Sequence, residues 1–134
     1  MDTNYNCKNR RKYSLKVHII LVTKYRKQIL KDNISENIKH YITDISHKYS
    51  YEIIAIETDK DHIYFLISYD TTDSVCNIVK KIKQETTYRL WQKNSLILSK
   101  HYWKKNIFWS DGYFACSVGE VSSAIIQKYI ETQG

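Results

Sequence analysis

The chain has 134 residues, 43% of them hydrophobic, with no proline and three glycines. That length and composition fit one domain with its own core and exclude a disordered chain or modules strung on linkers. A formal charge of +7, from 21 basic and 14 acidic side chains, favours a polyanionic partner, and no apolar run approaches a membrane span.

Residues 1–12 read as a basic tail and 13–134 as a single domain. The tail lacks the apolar stretch of a secretory signal, so a cytoplasmic protein without membrane contact is expected. Ser14 to Thr23 is apolar and rich in β-branched residues, which predicts a strand. A basic connection, Lys24 to Lys31, follows. From Asp32 to Tyr49 the residues Ile34, Ile38, Tyr41, Ile42 and Ile45 recur at helical spacing, with Asp32 or Asn33 as N-cap. Tyr51 to Thr58 and His62 to Ser68 read as strands of one hairpin, turning at Asp59-Lys60-Asp61. A second helix starts near Asp73 or Ser74 and runs through Val75, Ile78, Val79, Ile82 and Thr86 to about Trp91. Residues 93–106 have no clear period and read as a loop with short helical turns. Ile107 to Val118 holds a turn at Asp111-Gly112 and at least one strand, and Ser122 caps a last helix, Ser123 to Gln133.

The order β-α-β-β-α-β-α predicts an α+β, ferredoxin-like fold with an antiparallel sheet, both crossing helices on one face and an added C-terminal helix. Cys7, Cys76 and Cys116 are odd in number and widely spaced, which suggests neither a disulfide framework nor a zinc site. Twelve tyrosines and three tryptophans accompany the positive charge, a combination suited to unpaired bases. Tyrosines also build cores and strands, so composition alone leaves both uses open.

Three groups of residues invite chemistry. Tyr129 and Gln133 are four apart and share a helix face. A phenol there can attack a phosphodiester if its weak nucleophilicity is aided, and the same spacing suits a tyrosine that packs on the sheet. His62 and Tyr64 project to one side of a strand while Ile63, Phe65 and Ile67 project to the other. His62 can bind a metal through a neutral ring nitrogen or simply hydrogen-bond a neighbour. His18, on a neighbouring strand, is a further imidazole expected near His62 in such a sheet. Basic side chains at Lys24, Arg26, Lys27, Lys83, Arg89, Lys104 and Lys105 are candidate phosphate contacts. Trp103 and Trp109 suit stacking or the core, with core favoured for Trp109.

Four segments together carry a family resemblance: residues 18–30 (HIILVTKYRKQIL), 61–68 (DHIYFLIS), 108–119 (FWSDGYFACSVG) and 125–133 (IIQKYIETQ). In order and spacing they resemble the single-tyrosine transposases of the HUH superfamily, the TnpA type of insertion-sequence-200-like elements. The resemblance implies a homodimer that binds hairpin ends of a mobile element. It implies cleavage and rejoining of single-stranded DNA through a 5′-phosphotyrosine, with no small-molecule substrate. It places Tyr129 as nucleophile, and His62 and Gln133 as ligands of a divalent ion, Mg2+ or Mn2+. The second histidine of the family's His-x-His motif is replaced by Tyr64, a poor ligand as a neutral phenol. Either His18 or an acidic side chain such as Glu57 then substitutes, or the DNA and water complete the metal shell. The alternative is a non-catalytic hairpin-binding protein derived from such a transposase.

Overall fold

The computed structural model describes residues 15–118 and 123–132, with the backbone alone for 123–127. The proposed tail, the cap at Ser122 and the candidate ligand Gln133 lie outside the described residues.

The elements run β1 (Leu15–Val22), a 3-10 turn (Lys24–Arg26), α1 (Asp32–Lys48), β2 (Glu52–Asp59), β3 (His62–Tyr69), α2 (Val75–Lys93), the short α3 (Ser95–Leu98), β4 (Phe114–Ser117) and α4 (Ser123–Thr132). The strands form one antiparallel sheet in the order β2-β3-β1-β4. This is the ferredoxin-like arrangement expected from the element order. β1 lies inside the sheet, and its near-continuous apolar run follows from being covered on both faces.

Alternation along the strands divides the molecule. Val17, Ile19 and Leu21 of β1 and Ile63, Phe65 and Ile67 of β3 face α1 and α2 and form the main core. In α1, Ile34, Ile38, Ile42 and Ile45 make one buried stripe, each contributing roughly 1.5–3 kcal/mol. In α2 the stripe is Ile78, Val79, Ile82, Thr86 and Leu90. Thr86 is tolerated there because its hydroxyl donates to the Ile82 carbonyl at 2.6 Å and accepts from Trp109 Nε1 at 2.9 Å.

Two local expectations need correction. Neither Asp32 nor Asn33 caps α1; Lys31 holds that position without a side-chain hydrogen bond, and Asp32 itself has φ 54°. Left-handed backbone at Asp32 sets the start of the helix one residue earlier, and the Lys31 carbonyl accepts from Ser35 N at 3.3 Å. Trp109 is buried as expected, yet it makes only an isolated bridge to Thr23 and belongs to no strand. Ser74 does cap α2, accepting from Asn77 N at 3.2 Å. Among the described residues no helix is long and apolar enough to cross a membrane.

Candidate functional site

The sheet face opposite α1 and α2 carries His18, Ile20 and Val22 of β1, His62 and Tyr64 of β3, and Phe114 of β4, by strand alternation. Register arranges these in rows. Asp59, His62 and Val22 form one, and Glu57, Tyr64, Ile20 and Phe114 form the next.

His62 opens β3 immediately after the two-residue loop Lys60–Asp61. Its Nδ1 lies 3.0 Å from Asp61 Oδ1, and Arg26 Nε donates to Asp61 Oδ2 at 2.9 Å. The Asp61 carbonyl in turn accepts from the Thr23 amide at 2.9 Å. Burial alone would raise the Asp61 carboxyl, but hydrogen bonds from His62 and Arg26 and the guanidinium charge outweigh it and hold the carboxyl below its ordinary range. An ionised Asp61 accepts a hydrogen bond from the ring and so orients the imidazole. Neither Arg26 nor Asp61 was legible as support for His62: adjacency in sequence says nothing about which way a side chain in a turn points.

Tyr64 is held differently. Its hydroxyl is hydrogen-bonded to His18 Nδ1 at 2.8 Å, with the two rings stacked at 5.8 Å and 24°. Burial, then the charge of Glu57, pushes the phenol above its ordinary value. It is therefore neutral near pH 7. His18 stands opposite Leu66, four residues along β3 from His62, a separation of roughly 13 Å along the strand. The expectation that His18 lies near His62 is thus corrected: His18 engages Tyr64 instead, because the antiparallel register offsets it by two alternations. Glu57 likewise stands opposite Tyr64, not His62.

Of the ligand positions that the resemblance implies, Gln133 lies outside the described residues, and those of His62 and Tyr64 can be placed. Of these two described positions, His62 offers a suitable donor, through a ring nitrogen. The Tyr64 phenol is neutral and committed to His18, and among the described residues no three His, Cys, Asp or Glu side chains gather into an ion site.

Tyr129 is carried by α4, and its ring packs on Phe114 at 5.1 Å with a 46° tilt. It therefore covers the same sheet face as His62 and Tyr64, with Phe114 two strand spacings from Tyr64, roughly 10 Å. The hydroxyl oxygen is buried, with no hydrogen-bond partner among the described residues, and burial raises its pKa.

The candidate phosphate contacts separate into groups. Lys24, Arg26 and Lys27 lie in the connection beside His62; Lys24 also reaches Asp111 at 3.5 Å. Lys104 and Lys105 are exposed, with Lys104 Nζ 5.7 Å from the ring of Trp103. Arg89 lies over Tyr41 at 5.6 Å and 3.5 Å from Asp44, between the two long helices. Lys83 is corrected: its ammonium donates to the carbonyls of Ser110, Asp111 and Gly112 at 2.8, 3.1 and 2.9 Å. All three N–H donors are spent on the backbone, so it clamps a turn and has none left for phosphate.

Comparison with known proteins agrees with this architecture. A crystal structure of a candidate transposase from Deinococcus radiodurans R1 superimposes with a TM-score of 0.81 at 28% identity, over 89% of this chain and 90% of that one. A REP-associated tyrosine transposase bound to a REP hairpin shares the fold, with a TM-score of 0.57 at 13% identity over 89% of this chain and 64% of that one. In sequence, the ISDra2 transposase TnpA of Deinococcus radiodurans is 31% identical over 121 residues, covering 90% of this chain and 85% of the relative. The family described as "Transposase IS200 like" matches residues 11–133. By that match and that identity, the chain belongs to the IS200-like transposase family.

Proposed function

We propose that this protein is a DNA transposase that binds hairpin ends of a mobile element, as a homodimer, and cleaves and rejoins single-stranded DNA through Tyr129. Tyr129 Oη would attack the scissile phosphorus. A tyrosine–phosphate bond forms at the 5′ end, the P–O3′ bond breaks, and a 3′-hydroxyl leaves. The covalent ester conserves the bond energy for rejoining.

The observation that carries this reading is the placement of Tyr129 over the sheet face that bears His62. In the packed arrangement the ring rests on Phe114 and the phenol oxygen is buried, so attack requires α4 to leave β4, either within its own subunit or toward a partner's sheet. A buried hydroxyl without a partner costs about 1–3 kcal/mol, which lowers the work of that release.

A second reading, a hairpin-binding protein that does not cut, is favoured by one observation: the Tyr64–His18 hydrogen bond occupies the place where a metal ligand is implied. One experiment separates the two. The protein is incubated, with and without manganese, with end-labelled hairpin oligonucleotides carrying single-stranded flanks. The transposase reading expects a covalent adduct that disappears in Tyr129→Phe. Absence of an adduct in the native chain, with binding intact and cleavage gained in Tyr64→His, establishes the binder instead.

A further inference from the structure

The 3-10 turn after β1 is unusual for its composition. Tyr25 and Arg26 have φ of 61° and 50°, left-handed backbone that glycine or asparagine would adopt at lower cost. The turn is nevertheless firmly fastened. Lys24 N donates to the Phe108 carbonyl at 2.8 Å, Tyr102 Oη donates to the Lys24 carbonyl at 3.0 Å, and Arg26 is bound to Asp61.

That fixed backbone projects Tyr25 outward. Its side chain is 59% exposed, so burial does not repay the strained conformation. The ring centroid lies 6.4 Å from that of Tyr102, at a tilt of 42°, and Lys24 Nζ lies 5.7 Å from it. The next residue after Tyr102, Trp103, is 84% exposed and has Lys104 beside it. Large apolar rings left in water beside ammonium groups match the chemistry of a nucleic acid strand: a base for the ring, a phosphate for the cation.

We propose that Tyr25 is a stacking platform for an unpaired base of single-stranded DNA, and that it sets the strand beside His62. The connection is physical, since Arg26, the next residue, holds the carboxylate that orients His62. A base seated on Tyr25 is therefore referenced to the same rigid knot as the imidazole. Tyr25 acts here as a positioning residue, and the proposal rests on the reading of the chain as a binder of single-stranded DNA.

The test compares two probes, a blunt stem–loop oligodeoxynucleotide and the same stem–loop with a single-stranded thymidine flank carrying 2-aminopurine. The native chain is expected to bind the flanked probe more tightly and to quench its fluorescence. Tyr25→Ala should weaken binding of the flanked probe by about tenfold or more, abolish the quenching and leave the blunt probe and the thermal midpoint unchanged. Tyr25→Phe should retain native behaviour, because the ring and not the hydroxyl is used. Native-like discrimination in Tyr25→Ala, or equal loss on both probes, overturns the platform while leaving the DNA-binding reading in place. Failure of the native chain to bind either probe overturns both.

Discussion

Tyr129 shows how a single residue can satisfy two opposing demands. Its ring is useful to the fold, closing over Phe114, while its oxygen is a burden there because it lies buried without a hydrogen bond among the described residues. Removing only the oxygen should therefore stabilise the protein. Tyr129→Phe is expected to raise unfolding stability by about 1 kcal/mol, read from urea titration, in the same variant that forms no DNA adduct. A structural tyrosine whose hydroxyl mattered to packing would give the opposite sign. The sequence made the helical setting of Tyr129 legible through the spacing of its apolar neighbours. It could not show that the oxygen would be buried, because Phe114 comes from a strand whose alignment with β1 is set by the whole sheet. Tyr64 was legible as a departure from a histidine pattern. Its bond to His18 was not, since the offset between the two strands decides which cross-strand side chains meet.

Elements were more legible than contacts. The β-branched runs of β1 and β3 and the isoleucine spacing of α1 are local signals, and tertiary packing left them intact. The cap of α2 was equally local: Ser74 precedes the first apolar-periodic residue and accepts from Asn77. The positive charges of α2 were different. Side chains that look alike along a helix diverge by what lies opposite, and Lys83 happens to face three carbonyls of the 110–112 turn. Lys83→Met is expected to destabilise the fold by about 1–2 kcal/mol and to loosen that turn, seen as faster amide exchange at residues 110–112. Binding to DNA should keep its salt dependence in this variant. A phosphate-contacting lysine would instead reduce the slope by about one. Burial lowers the Lys83 pKa, against the pull of Asp111, which agrees with an ammonium drawn into the fold.

Across the whole molecule, two carboxylates tie elements together. Asp73 accepts from Tyr51 and, at 3.2 Å, from Lys81. Glu85 accepts from Tyr49 and, at 3.1 Å, from Lys48 at the end of α1. Burial opposes ionisation of both, but the tyrosine hydrogen bonds and then the further donors prevail, so both are held below their ordinary values. A carboxyl depressed in the folded state stabilises it above the unfolded value, near pH 4, and that contribution is lost as pH falls through the folded value. Unfolding stability should thus be steady from neutrality down to about pH 5 and decline below about pH 4. Asp73→Asn should flatten the acid limb in a urea titration series. An unchanged limb would show that Asp73 carries none of the dependence.

The strand order β2-β3-β1-β4 also bears on how the chain is made. β1 occupies an inner place, and its two neighbours are synthesised after it, one of them after both long helices. A nascent chain that ends before β4 leaves β1 bordered on a single side, with the backbone of Val17 to Ile20 unpaired on the other. Synthesis of β4, rather than the emergence of β1 itself, sets the moment at which this sheet can close.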